Sequence, residues 1–216
     1  MIKRSVLALG LVVWLVSGAL SQFSFYLIDN FEPGEAKAAA RWWKFGNIVM
    51  EAVPKPKVSG SDLIAESCGE TSISLSGNSQ NWYVGGIGTD LDIPDFDYSR
   101  FQIDIYGTCD GGGKLSIELF DDDNQNFSIE QDPANNYMPV YDDKWVAEVP
   151  IQGEGFTRIS IPFSAFRDVN PGVGDDIWNP ERNDGSGGLL KLQLVAISGQ
   201  QAGKVSFLID NVLLTY

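Results

Sequence analysis

Twenty-nine carboxylates, six tryptophans, seven tyrosines and two cysteines carry whatever chemistry this chain can do, because its 216 residues include no histidine. Without imidazole there is no Ser-His-Asp or Cys-His nucleophile system and no histidine metal site. Neither a P-loop nor a GxGxxG fingerprint occurs in the sequence. Fifteen Lys and Arg stand against the 29 acids, a formal charge of −14. No basic stripe is present to neutralise a phosphate backbone, so no nucleic-acid partner is expected. Carboxylate pairs for glycoside hydrolysis can be chosen in many ways among so many acids, and no motif singles one out, so no enzyme is expected. What remains is cation binding by oxygen, hydrogen bonding by acids and amides, and aromatic contact: binding or structure.

The compartment matters for the cysteines. Met1–Arg4 is a short positive segment, and Ser5–Leu20 is an uncharged apolar run, too short for a bilayer span of about 20 residues. Small residues near Ser21 complete the three-part pattern of a secretory signal peptide over 1–21. The other reading is an uncleaved N-terminal anchor. Cleavage after Ser21 leaves a chain from Gln22 with no membrane span; it loses Lys3 and Arg4 but no acid, which takes the charge from −14 to −16. The expected location is secreted: periplasmic, cell-surface or extracellular. An oxidising compartment favours a bridge between Cys68 and Cys109. Closing that loop of about 40 residues would stabilise by roughly 3–4 kcal/mol. Two buried free thiols are the alternative.

The elements that must position these groups read as β-strands. In Tyr98–Tyr106, Phe101, Ile103 and Ile105 alternate with Gln102, Asp104 and Tyr106; in Lys114–Phe120, Leu115, Ile117 and Leu119 alternate with Ser116, Glu118 and Phe120. The Gly-rich stretch 107–113 between them reads as a hairpin connection. Further runs are Thr71–Ser76, Tyr83–Ile87, Trp145–Val149, Phe156–Ile161, Leu189–Ile197 and Val205–Leu214. With no long amphipathic helix, this predicts an all-β fold: a single antiparallel sandwich over 22–216. One short N-terminal helical segment is expected over Glu35–Lys44, stopped by Gly46. Arg167–Gly188 is the longest loop, functional or mobile at that length.

Tyr26–Glu32 (YLIDNFE) opens the mature chain and Phe207–Val212 (FLIDNV) echoes it near the end. With the FQIDIYG and KLSIELFD runs, Gly155–Phe166 (GFTRISIPFSAF) and the LLKLQLVAISG strand, these segments resemble galactose-binding-like jelly rolls. The resemblance is to family 11 carbohydrate-binding modules and the related complex I intermediate-associated protein family. It implies first and last strands close together with a structural Ca²⁺ at that edge. Glu32 and Asp210 are then the implied ligands and Asp29 a further contributor. The alternative is that Glu32 and Asp210 cap turns at the surface. Ca²⁺ takes six to eight oxygens, so the residue types suit it. Asp121–Asn124 is a second oxygen-rich turn, which lacks the Gly and closing Glu of an EF-loop and reads as solvated.

A polysaccharide or cell-surface glycan is the implied partner. Aromatic rings would meet the C–H faces of sugars, while planar polar side chains satisfy hydroxyls. The non-core faces of the central hairpin and its neighbours offer Gln102, Asp104, Tyr106, Ser116, Glu118, Lys191 and Gln193, with Trp82, Tyr83 and Trp145 as platforms. Each tryptophan can equally be core, and a polar sheet face can simply be the solvated side. The function expected is a secreted, non-catalytic carbohydrate-binding domain. The alternative on the same sandwich is a cell-surface or extracellular structural protein (sheath, matrix or filament subunit) that self-associates through edge strands. A complex I assembly role conflicts with the signal peptide.

Overall fold

Alternation of apolar and polar residues builds two facing sheets. The computed structural model describes residues 25–33, 42–56, 69–107, 113–151, 155–183 and 185–216. The signal segment 1–21, Cys68 and Cys109 lie outside the described residues. The strands are β1 (Tyr26–Asp29), β2 (Trp43–Gly46), β3 (Val49–Pro54), β4 (Thr71–Asn78), β5 (Tyr83–Asp90), β6 (Arg100–Gly107) and β7 (Gly113–Asp122). They continue with β8 (Gln131–Asp132), β9 (Met138–Pro139), β10 (Asp143–Ile151), β11 (Phe156–Pro162), β12 (Arg167–Asp168), β13 (Gly188–Ile197) and β14 (Lys204–Thr215). One sheet has the order β11-β6-β14-β4-β3, with β1 also on β14; the second has the order β12-β10-β7-β13-β5-β2. We call them the terminal sheet and the central sheet. β8 and β9 form a small separate hairpin.

The inward faces meet in one core. Phe101, Ile103, Ile105, Phe207 and Ile209 come from the terminal sheet, and Leu115, Ile117, Leu119, Leu192 and Leu194 from the central one. The all-β sandwich expected from the runs is therefore the fold. The expected hairpin does not form. β6 pairs with β11 and β14, whereas β7 pairs with β10 and β13, so the chain changes sheets between Gly107 and Gly113. Alternation identifies the buried face of a strand but not its neighbour; here the two apolar faces oppose each other across the core.

The helix expected over Glu35–Lys44 falls mostly outside the described residues, and its last two, Trp43 and Lys44, open β2 instead. Pairing with β5 outweighs local helix preference there.

The two strands that carry the terminal echo are neighbours, but they meet mostly beyond the echoed residues. β1 runs antiparallel to the end of β14, with Tyr26 opposite Leu214 and Leu27 opposite Leu213. A bulge between Asp210 and Leu213 shifts the β14 register. The inward set accordingly passes from Val205, Phe207 and Ile209 to Val212 and Leu214. Asn211 sits in the bulge at φ 46° and its Nδ2 donates to Asp104 Oδ2 at 2.9 Å. Asn tolerates this left-handed backbone better than alanine does. Asn211→Ala is expected to lower stability by about 1–3 kcal/mol, measured by urea denaturation, because a buried acceptor also loses its donor.

Candidate functional site: the outer face of the central sheet

Strand register lines up one row of outward side chains across the central sheet. Trp43 pairs with Gly88, Gly88 with Gln193, Gln193 with Glu118, Glu118 with Val146 and Val146 with Arg167. At about 4.8 Å per strand the row spans about 24 Å. The next row on the same face is Phe45, Gly86, Val195, Ser116 and Glu148.

The glycines explain the aromatics. A Cβ on Gly88 would lie 2.5 Å from the Trp43 ring and one on Gly86 would lie 2.6 Å from the Phe45 ring. Both rings therefore lie across bare β5 backbone, and both stay half-buried. Tyr83, opposite Ile197 and 50% exposed, adds a third ring at the end of the face. Burial, followed by the nearby Glu118 charge, raises its phenol pKa.

The polar groups of the face are held in place. Lys144 Nζ pairs with Glu118 Oε2 at 2.8 Å, and Lys114 Nζ with Glu148 Oε2 at 2.6 Å. Lys144 and Lys191 lie over the outward ring of Phe120. Lys191 Nζ also donates to Gln131 Oε1 at 3.0 Å, tying the β8–β9 hairpin to this end of the face. Burial lowers the Lys191 pKa, against the opposing pull of Asp90 and other acids.

Of the binding residues expected from sequence, the structure brings together Tyr83, Glu118 and Gln193. Trp82 precedes Tyr83 at φ 58°, 48% exposed, with its backbone N–H donating to Gln201 O. Gln102, Asp104 and Tyr106 lie on β6 in the other sheet, because the hairpin that would have joined them to Glu118 does not exist. Asp104 is buried, held by the Arg158 guanidinium through two 2.8 Å bonds and by Asn211. Gln102 bonds the Ser160 hydroxyl, and the Tyr106 ring packs edge-on against Phe156. Trp145 points inward: it packs on the core, meets Trp178 edge-on at 5.7 Å, and donates its indole N–H to Asp121. Trp43 and Phe45 escaped the sequence reading because Trp43 stood in an apparent helix and Phe45 directly after it, before the Gly46 stop. The visible signal was the W-x-F alternation of β2 together with the Gly86-x-Gly88 spacing of β5.

Among the described residues, the implied calcium ligands Glu32, Asp29 and Asp210 are not gathered into one acidic cluster, and each is engaged by protein donors. Asp210, fully buried, is bound by Lys55 Nζ at 2.5 Å, and the lysine side chain is itself buried. An ammonium thus fills the position a cation would need. Asp29 accepts from the Phe31 N–H at 2.7 Å and the Trp42 indole at 2.9 Å, while Glu32 Oε1 accepts from the Thr71 N–H at 2.7 Å. Among the described residues, the acid groups close enough to hold a metal ion are Asp121, Asp123 and Asp143, and Asp143, Asp168 and Asp176. The segment Asp121–Asn124, expected to be a solvated turn, begins instead with two fully buried residues, Asp121 and Asp122, which end β7. Its register against Asp143 carries it beneath the loop that follows β12.

Two six-stranded antiparallel sheets around one core define a jelly-roll sandwich. In particular the chain is similar in fold to the family 11 carbohydrate-binding module from Clostridium thermocellum, solved in complex with a β-1,3-1,4-mixed-linked tetrasaccharide. The two share 16% identity over 90% of this chain and 97% of that one, with a TM-score of 0.52. A second similarity is to an exo-β-agarase, at 11% identity and a TM-score of 0.51 over 88% of this chain and 25% of that one. No protein-family model matches the sequence, and no curated protein matches it.

Proposed function

We propose that this protein is a secreted, non-catalytic carbohydrate-binding domain that takes a polysaccharide along the outer face of its central sheet. The observation that carries this reading is the row from Trp43 over Gly88 to Gln193 and Glu118. It puts a ring, an amide and a carboxylate in line on rigid strands. Rings of Trp43, Phe45 and Tyr83 would receive sugar C–H faces, while Gln193, Glu118 and Lys144 satisfy hydroxyls at fixed positions. Rigid strands reduce the ordering cost of binding. The carboxylates Glu118 and Glu148 are each paired to a lysine, which suits holding a ligand better than transferring a proton. Secretion rests on the N-terminal segment, and among the described residues no helix is long and apolar enough to cross a membrane.

A thermal-shift screen of the protein from Gln22 tests the reading, with mixed-linked β-glucan, xylan, mannan, pectin and agarose as probes. A ligand at a hundred times its dissociation constant stabilises by about 2.7 kcal/mol, which is roughly 5–10 °C for a domain of this size. A shift with one glycan class is the expected result. No shift with any probe, from folded protein that sediments as large species, would overturn it in favour of a self-associating surface subunit.

A further inference from the structure

At the end of the central sheet, Asp121 on β7 pairs directly with Asp143 on β10, and Asp123 follows two residues later. One carboxylate oxygen from each lies within 4.8 Å of the other two. The protein satisfies only part of this group. The Trp145 indole and the Asn179 N–H donate to Asp121, the Asp143 N–H to Asp123 Oδ2 at 2.9 Å, and the Ile177 N–H to Asp143 Oδ2 at 3.2 Å. Oδ1 of Asp123, Oδ1 of Asp143 and Oδ1 of Asn179 are buried and receive no hydrogen bond. Asp143 is 0% exposed, and its bare Oδ1 faces Asp123: a Cβ on Gly174 would collide with that atom and with Asp123 Oδ2 together. Gly174, at φ 77°, brings the loop after β12 down onto the two carboxylates. None of the ion pairs among the described residues reaches the group.

Buried carboxylates that are only partly hydrogen-bonded and have no counter-charge are costly unless a cation joins them. All the available donors are hard oxygens, which suit calcium and not a soft metal. Ca²⁺–oxygen distances of about 2.3–2.6 Å put opposite ligands roughly 5 Å apart, the scale of this cluster.

We propose that Asp121, Asp123 and Asp143 hold a calcium ion that clamps the loop after β12 to the sheet. This site is at residues other than Glu32, Asp29 and Asp210, and it stands whether or not the outer face binds sugar. Trp145, bonded to Asp121, would sit close enough to the ion to sensitise terbium.

The test uses the whole protein, stripped with EDTA and then given calcium, or terbium in its place. The expected result is a melting temperature raised by about 5–10 °C at a hundredfold excess over the dissociation constant, with tryptophan-sensitised terbium emission that calcium competes away. Asp143→Asn keeps the shape and removes one buried charge, so its metal-free form is expected to melt no lower than the metal-free wild type while losing both signals. Asp123→Asn, at a less buried position, is expected to lose both as well. Absence of both signals in the wild type, or a calcium shift undiminished in both variants, would overturn the site.

Discussion

Replacing Lys55 with methionine is expected to cost about 3–5 kcal/mol of stability at pH 8, and much less near pH 4.5. Lys55 Nζ reaches Asp210 at 2.5 Å, and both side chains are almost wholly out of solvent. Asp210 pairs in register with Asp104 on β6, so two carboxylates stand side by side, one held by Lys55 and the other by Arg158. Methionine keeps the apolar stem and removes the charge, which strands a carboxylate in the protein. The pH dependence has a definite sign. With the lysine present, burial already raises Asp210 to about 6, and the Lys55 hydrogen bond and charge oppose that rise. Removing them lets the value climb further above that of the unfolded chain. Folded protein then binds the proton more tightly than unfolded protein, so stability falls as pH rises from about 4 through the folded pKa. Urea melts of wild type and Lys55→Met at pH 4.5 and 8 measure the difference. Adding Asp210→Asn should recover most of the loss at pH 8. An equal loss at both pH values would contradict the account.

Trp43→Ala is expected to weaken glycan binding about 30-fold or more while leaving the protein folded. A central aromatic platform contributes about 2 kcal/mol or more when it is truncated, and that converts to this factor. Trp43 lies on an edge strand of four residues, outside the core formed by β6, β7, β13 and β14, so its loss uncovers Gly88 backbone without opening a core cavity. Affinity electrophoresis in gels containing mixed-linked β-glucan reads the change, with Gln102→Ala on the opposite sheet as the unaffected control. Equal retardation of wild type and Trp43→Ala would remove Trp43 from the site.

The long strands were legible because burial on one face writes itself as alternation. β6, β7, β13 and β14 contain the Phe101–Ile105, Leu115–Leu119, Leu192–Leu194 and Val205–Ile209 patterns almost without interruption. β2 and β3 were not legible. The residues around Trp43 carry good helix formers, and Val49–Pro54 is an edge strand exposed at most of its positions, so no core face disciplines its composition. Partnership was the other blind spot. The turn at Gly107–Gly113 looks like a hairpin locally, and only the packing of both apolar faces against each other sends the strands to different sheets. That single change moved Gln102, Asp104 and Tyr106 away from Glu118 and Gln193. It also hid the acidic cluster: Asp121–Asp123 and Asp142–Asp143 are about twenty residues apart, and their meeting depends on the β7–β10 register. The IDN echo of the terminal strands was visible in sequence, but the lysine that neutralises Asp210 comes from beyond β3, where no pattern announces it.

The central claim is that glycan lies on the outer face of the central sheet. Amide chemical-shift mapping of the labelled protein with mixed-linked β-glucan tetrasaccharide tests it most directly. The expected result is saturable shifts at Phe45, Gly86, Gly88, Gln193 and Glu118. Shifts confined instead to Gln102, Arg158 and Leu213, on the outer face of the terminal sheet, would contradict it.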